Sequence, residues 1–190
     1  MTLEQELELQ ELLKQWRDER HLSIESQRDG LMGNLCEEMA EYYRAVDESE
    51  KIDALCDMYV FCMNSLGRDL KVAREDFEDA NKKILAMYCA LPSLKFYLLD
   101  NIELKLMELK KNEIIVDSLN LFLYAFIRNV EYEIQSMKYD LYKCMLETIK
   151  EISSRTGYYN EDMHKFVKDK SREAVKKWYK ADYSKCKIKG

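Results

Sequence analysis

The sequence predicts an all-α fold, a helical bundle, and three observations carry the prediction. Among 190 residues there are 5 Gly and 1 Pro, too few to punctuate the turns of a β-sandwich. Apolar side chains make up 47% of the chain, enough to bury a continuous core, so extended disorder is not expected. They recur at helical spacing through most of the sequence.

The first helix is expected from Leu3 to about Arg20, where Leu9, Leu12, Leu13 and Trp16 share a face. Residues His21 to Gly30 read as a break. A second helix is expected over Leu31–Val46, and the polar stretch Asp47–Glu50 leads into a third over about Lys51–Leu66, ended by Gly67. A fourth runs from about Asp69 to Cys89 and stops at Leu91-Pro92-Ser93, the strongest internal boundary. Helices near Leu94–Lys110, Glu113–Met137 and Asp140–Ser154 follow, then a polar loop from Thr156 and a basic tail. Residues 1–157 thus read as one helical domain, with 91–93 connecting its halves, and 158–190 as the tail. A shift of 64 lays Asp53-Ala54-Leu55 over Asp117-Ser118-Leu119, and a slightly longer one lays Gly67–Leu70 over Lys138–Leu141. Both a degenerate helical repeat and the chance alignment of two amphipathic helices fit so thin an identity.

Composition excludes several functions. A net charge of −6 argues against a nucleic-acid polymer as partner, because phosphate neutralisation needs surplus Lys and Arg. No run approaches the roughly 18 apolar residues of a membrane span, so no membrane association is expected. The acidic opening Met1-Thr2-Leu3-Glu4-Gln5-Glu6 shows no signal peptide, which makes the cytoplasm the expected location. The six cysteines contain no Cys-x-x-Cys and read as reduced core thiols, and with only His21 and His164 a zinc site is disfavoured.

From Ile52 to Asn64 the only polar side chains are Asp53, Asp57 and Asn64, and a helix apolar nearly all round is a buried one. At about 100° per residue these three fall within roughly 40°, a single polar stripe. Two buried carboxylates one turn apart repel and take up protons unless a cation lies between them, which points to metal. The second helix carries Glu37, Glu38 and Glu41, with Glu38 only about 20° from the core position Leu31. Two antiparallel helices would set Glu38 and Glu41 opposite Asp53 and Asp57. An all-oxygen donor set suits Mg²⁺, with Mn²⁺ as the alternative, rather than zinc. Taken alone, Glu-Glu-x-x-Glu is more often a solvated helix face; the Asp53/Asp57 stripe is the stronger signal. A di-iron carboxylate bundle is disfavoured, since it needs two Glu-x-x-His pairs: His21 has Asp18 three residues before it, and Glu161-x-x-His164 is the one such spacing in the sequence.

Gln15-Trp16 with Glu19-Arg20, Glu37-Glu38-x-x-Glu41, the run Asp53-Ala54-Leu55-Cys56-Asp57-Met58-Tyr59-Val60, and Glu151-Ile152-x-x-Arg155-x-Gly157 followed by Phe166-Val167-Lys168 occur in that order. In these stretches the chain resembles the MazG-like family of all-α nucleoside triphosphate pyrophosphohydrolases. The resemblance implies a MazG-like bundle that uses Mg²⁺ to cut a nucleoside triphosphate between the α and β phosphates. It implies Glu38, Glu41 and Asp57 as metal ligands with Glu37 beside them. Where the commoner pattern has Glu, this chain has Ala54, so Asp53 would supply that carboxylate. At the 64-residue offset Glu38, Glu41 and Asp57 become Ile102, Lys105 and Leu121, so a second half could not bind metal in this way.

Hydrolysis of a polyphosphate also needs positive charge on the phosphates. Arg155, Lys165 and Lys168 are candidate phosphate clamps, against the plain reading of a solvated basic tail that continues through Lys176, Lys177 and Lys180. Asn64 and Trp16 are further substrate-binding candidates, although Trp16 also suits the core. The expected function is therefore a Mg²⁺-dependent nucleotide pyrophosphohydrolase whose partners are its nucleotide substrate and other copies of the chain, in a homo-oligomer, with a dimer the expected form. A dUTPase-like activity and a non-catalytic helical interaction protein are the rivals.

Overall fold

The computed structural model describes residues 1–78, 114–163 and 165–188. Within them the chain folds as helices α1 (Leu3–Asp18), α2 (Ile24–Arg44), α3 (Glu48–Ser65), α4 (Ile114–Ser136), α5 (Leu141–Ser154) and the short α6 (Arg172–Val175). Residues 70–78 are also helical. An antiparallel hairpin of β1 (Gly157–Asn160) and β2 (Lys165–Lys168) follows α5, and a 3₁₀ turn spans Tyr183–Cys186. The fold is all-α, as expected. The boundary at Leu91–Ser93, the helices expected over 79–110 and the positions Ile102 and Lys105 lie outside the described residues.

Side-chain caps set the helix starts. Thr2 accepts from the Gln5 N–H and forms a reciprocal capping box with that residue, Asp47 accepts from Glu50 N–H (2.9 Å), and Asp140 accepts from Lys143 N–H (3.3 Å). The same chemistry corrects one expectation. Residues 21–30 are not a break beyond Ser23, whose side chain accepts from Ser26 N–H (3.1 Å) and starts α2 at Ile24. Gly30 and Gly33 then ride within the helix, where tertiary packing outweighs the roughly 1 kcal/mol a helical glycine costs.

The centre of the fold is α3, which packs against α1, α2, α4 and α5. Ile52, Leu55, Cys56, Met58, Tyr59 and Cys62 are wholly buried there, meeting Leu9, Leu13, Leu123, Ile127, Met145 and their neighbours. With only three residues between α2 and α3, the two helices must run antiparallel along each other. Arginine side chains finish two helices, Arg20 buried and Arg28 partly so. Arg28 donates to the Ser65 carbonyl (2.9 Å) at the end of α3. Arg20 donates to the carbonyls of Ile152 (3.3 Å), Ser153 (3.3 Å) and Arg155 (3.4 Å) at the end of α5. In each case the cation meets the partial negative charge of a helix C-terminus. Gly67 lets Arg28 approach, since a Cβ there would stand 2.3 Å from its Nη2.

The stretch after α5 departs from the expected polar loop and solvated tail. Residues 157–168 form the hairpin, and the end of the chain returns to the core, where Tyr183 and Cys186 are 3% and 2% exposed. Asp140 N–H donates to Cys186 O (2.9 Å) and Ile188 N–H to Lys138 O (2.8 Å), tying this end to the α4–α5 connection. That connection turns at Lys138, exposed and at φ 66°, a left-handed conformation that a side chain disfavours. Lys138→Gly is therefore expected to raise stability by about 0.5–1 kcal/mol. Urea unfolding of the two proteins checks it.

Candidate metal and phosphate site

Between Ile52 and Leu66 every side chain is buried except those of Asp53, Asp57 and Phe61. Spaced four apart, they lie along the single open line of α3. Both aspartates thus stand where the sequence pattern placed them, on an otherwise buried helix. Asn64 does not: it is fully buried, and its Oδ1 accepts from Arg17 Nη1 (2.9 Å), which removes it from the substrate-binding candidates. Arg17 needs that oxygen because it is itself buried.

From α2, Glu38 is partly buried, while Glu37 and Glu41 are exposed. Loss of hydration pushes the Glu38 carboxyl up to about 8, reinforced in order by the nearby charges of Asp57, Glu41, Asp53 and Glu37. Burial likewise pushes Asp57 up to about 7, with Asp53 adding repulsion and Arg155 and Lys168 opposing it. Burial also raises Asp53, countered first by the hydrogen bond from the Tyr183 hydroxyl to its Oδ1 (2.7 Å). Among the described residues, Glu38, Glu41 and Asp57 have neither a hydrogen-bond nor an ion-pair partner. The structure thus brings Glu38 and Glu41 of α2 and Asp53 and Asp57 of α3 into one electrostatic cluster, with Glu37 at its edge.

Two of the expected clamps reach this cluster. Arg155 follows the last turn of α5 and bonds Glu151 Oε1 through Nη2 (2.7 Å). Lys168 closes β2. Loss of hydration and then Arg155 hold its ammonium below the usual lysine range, while Asp57 and Glu38 pull it back. The hairpin sets this position: Gly157 pairs with Lys168, and a Cβ on Gly157 would stand 2.3 Å from the Val167 carbonyl oxygen, so only glycine permits the close strand approach. Lys165, at the turn end of the same strand, is exposed and is not brought to the cluster. Trp16 packs under Arg20, whose guanidinium carbon lies 4.9 Å from its ring and 5.2 Å from the Phe166 ring, so its face is occupied by the chain's own cation.

Sequence reasoning assigned no role to Glu151, Lys180 or Tyr183. Glu151 and Lys180 both act electrostatically on Asp53. A signal for Tyr183 existed: with Cys186 it forms an apolar pair at i, i+3 inside a basic segment.

Carboxylate oxygens alone are a donor set for a hard divalent cation, and unpartnered, partly desolvated carboxylates are the groups such an ion would satisfy. In this respect the residues fit Mg²⁺. As they stand, no group of three or more His, Cys, Asp or Glu among the described residues is arranged to hold an ion. Comparison with known proteins finds no matching family model, curated protein or solved structure.

The raised carboxyls set a pH dependence. A carboxyl whose folded value lies above its unfolded one binds its proton more tightly in the native state. It stabilises the fold below the unfolded value, near 4.5 for Glu38, and that contribution is lost as pH rises towards about 8. In chelator, wild-type stability is expected to fall across this window, and Glu38→Gln to flatten the fall. Urea unfolding at pH 5 and pH 8 measures both slopes; equal slopes would remove the repulsive cluster.

Proposed function

We propose that the protein is a Mg²⁺-dependent nucleotide pyrophosphohydrolase that cuts a nucleoside triphosphate to monophosphate and pyrophosphate. The observation that carries the reading is an unpaired carboxylate set on α2 and α3 faced by Arg155 and Lys168 from the elements after α5. An acidic half and a basic half are what a metal-bound polyphosphate requires. The resemblance of the motif order to the MazG-like family supports the same reading.

Glu38, Glu41, Asp53 and Asp57 would hold the ion, with Mn²⁺ able to replace Mg²⁺ on the same oxygens. When bound it would supply charge neutralisation on the phosphates and a more acidic water. The chain's own groups do the rest. Arg155 and Lys168 bind phosphate oxygens by charge-assisted hydrogen bonds, the first as a planar fork and the second as a point charge. Tyr183 keeps Asp53 turned towards the cluster by donating to Oδ1. Arg155 is partly buried and Tyr183 buried, which strengthens their interactions relative to water, whereas the Lys168 side chain is exposed.

Assay of a nucleotide panel for pyrophosphate release in Mg²⁺ tests the reaction. Asp57→Asn is expected to lower turnover by about a hundredfold or more while the protein stays folded. Millimolar Mg²⁺ should raise the Tm of wild type and leave that of Asp57→Asn unmoved, because only a native-state site yields a ligand-dependent shift. Lys168→Ala should raise KM and preserve the Mg²⁺-induced shift. A Tm indifferent to Mg²⁺ in wild type would sink the metal site.

A further inference from the structure

Glu147, Glu151 and Ser154 line one face of α5 at spacings of four and three, and all three accept from the backbone of one segment near the chain's end. Tyr179 N–H donates to Ser154 Oγ (2.8 Å), Ala181 N–H to Glu151 Oε2 (2.7 Å) and Asp182 N–H to Glu147 Oε2 (3.1 Å). Glu151 differs from Glu147 in what its second oxygen does, because Oε1 accepts from Arg155 Nη2 (2.7 Å). The pair is partly buried on both sides, so solvent screens it less than a surface pair. One residue beyond Asp182, the Tyr183 hydroxyl reaches Asp53.

We infer that Glu151 is a positioning residue of the site, one carboxylate that aims Arg155 at the phosphates and seats the segment carrying Tyr183 against Asp53. The inference rests on the pyrophosphohydrolase reading. The chemistry needs a carboxylate because two donors arrive from two directions, and each oxygen takes one. In Glu151→Gln the charge is lost and one oxygen becomes an NH₂ group, so whichever way the amide turns Arg155 loses its charge-assisted acceptor and Ala181 N–H meets a weaker neutral oxygen or a donor.

The test compares wild type, Glu151→Gln, Arg155→Ala and the double variant. Glu151→Asp, which keeps the charge but is too short to span both donors, is the second variant should the glutamine protein fail to fold. With loss of one charge-assisted hydrogen bond, the KM for the nucleoside triphosphate in Mg²⁺ is expected to rise about tenfold in Glu151→Gln. Adding Glu151→Gln to Arg155→Ala should change KM by less than about twofold, because the group it acts through is gone. Independently of turnover, amide exchange at Ala181 should speed up about tenfold. An unchanged KM in Glu151→Gln, or effects on KM that multiply in full in the double variant, would overturn the positioning role while leaving the pyrophosphohydrolase reading intact. A wild type that releases no pyrophosphate from any nucleotide overturns that reading, and this inference with it.

Discussion

From Ile52 onward, helix α3 meets solvent along one line only, and two carboxylates occupy it. Four helices cover the rest of that stretch, where Asn64 pairs with Arg17 while the hydroxyls of Tyr59 and Ser65 are buried without a hydrogen-bond partner among the described residues. Asp53 and Asp57 take the line, and Glu38 of α2 crowds them from the side. Replacing such a group of like charges with apolar side chains would in general be neutral or stabilising. With no cation paired to Glu38, Glu41 or Asp57 among the described residues, the fold has its least stable electrostatics at one spot.

The rest of the chain answers that spot. Between Lys165 and Lys187 there are nine Lys and Arg against three Asp and Glu, so a chain of net negative charge keeps a strongly basic strap. Lys185 pairs locally with Asp182, Lys187 pairs with Glu48 at the start of α3, and Lys168 and Lys180 act on the aspartates of α3. The strap is not held by charge alone. Tyr183 and Cys186 bury apolar surface against α3 and α5, and backbone N–H groups of residues 179, 181 and 182 find acceptors along α5. Attraction between halves of opposite sign sets the direction, and packing with hydrogen bonding fixes the register.

Much of this was legible in the sequence where periodicity is strong. The long helices, the burial of α3 and the one-sided stripe of Asp53 and Asp57 follow from apolar spacing, and the order of acidic and basic stretches anticipated which would meet. What was not legible depends on tertiary partners. Ser23 starts α2 at Ile24, seven residues before the expected Leu31, because a cap and packing override propensity. Asn64 shares the angular sector of the aspartates, yet its position further along the helix meets a buried arginine instead of the open line. The hairpin of residues 157–168 is short and polar, with little alternation to mark it. Glu151 stands in sequence at the head of the motif that ends in Arg155 and Gly157, but without a role; only the return of residues 179–183 gives its two oxygens separate work.

The register of the α3 aspartates shows how closely burial constrains such a site. Ala54 is buried, at 2% exposure, whereas its neighbour Asp53 stands at the open line one turn before Asp57. A carboxylate at position 54 would point into the apolar core, where the desolvation cost of a charge has no partner to offset it. At position 53 the same group sits four residues from Asp57, stacked on one face, and within reach of the Tyr183 hydroxyl. The choice of 53 over 54 therefore ties the acidic pair to the end of the chain, since no hydroxyl from residues 183–186 is needed by a side chain that faces the core. In this fold the position of one aspartate and the return of the turn at Tyr183–Cys186 are a single structural decision.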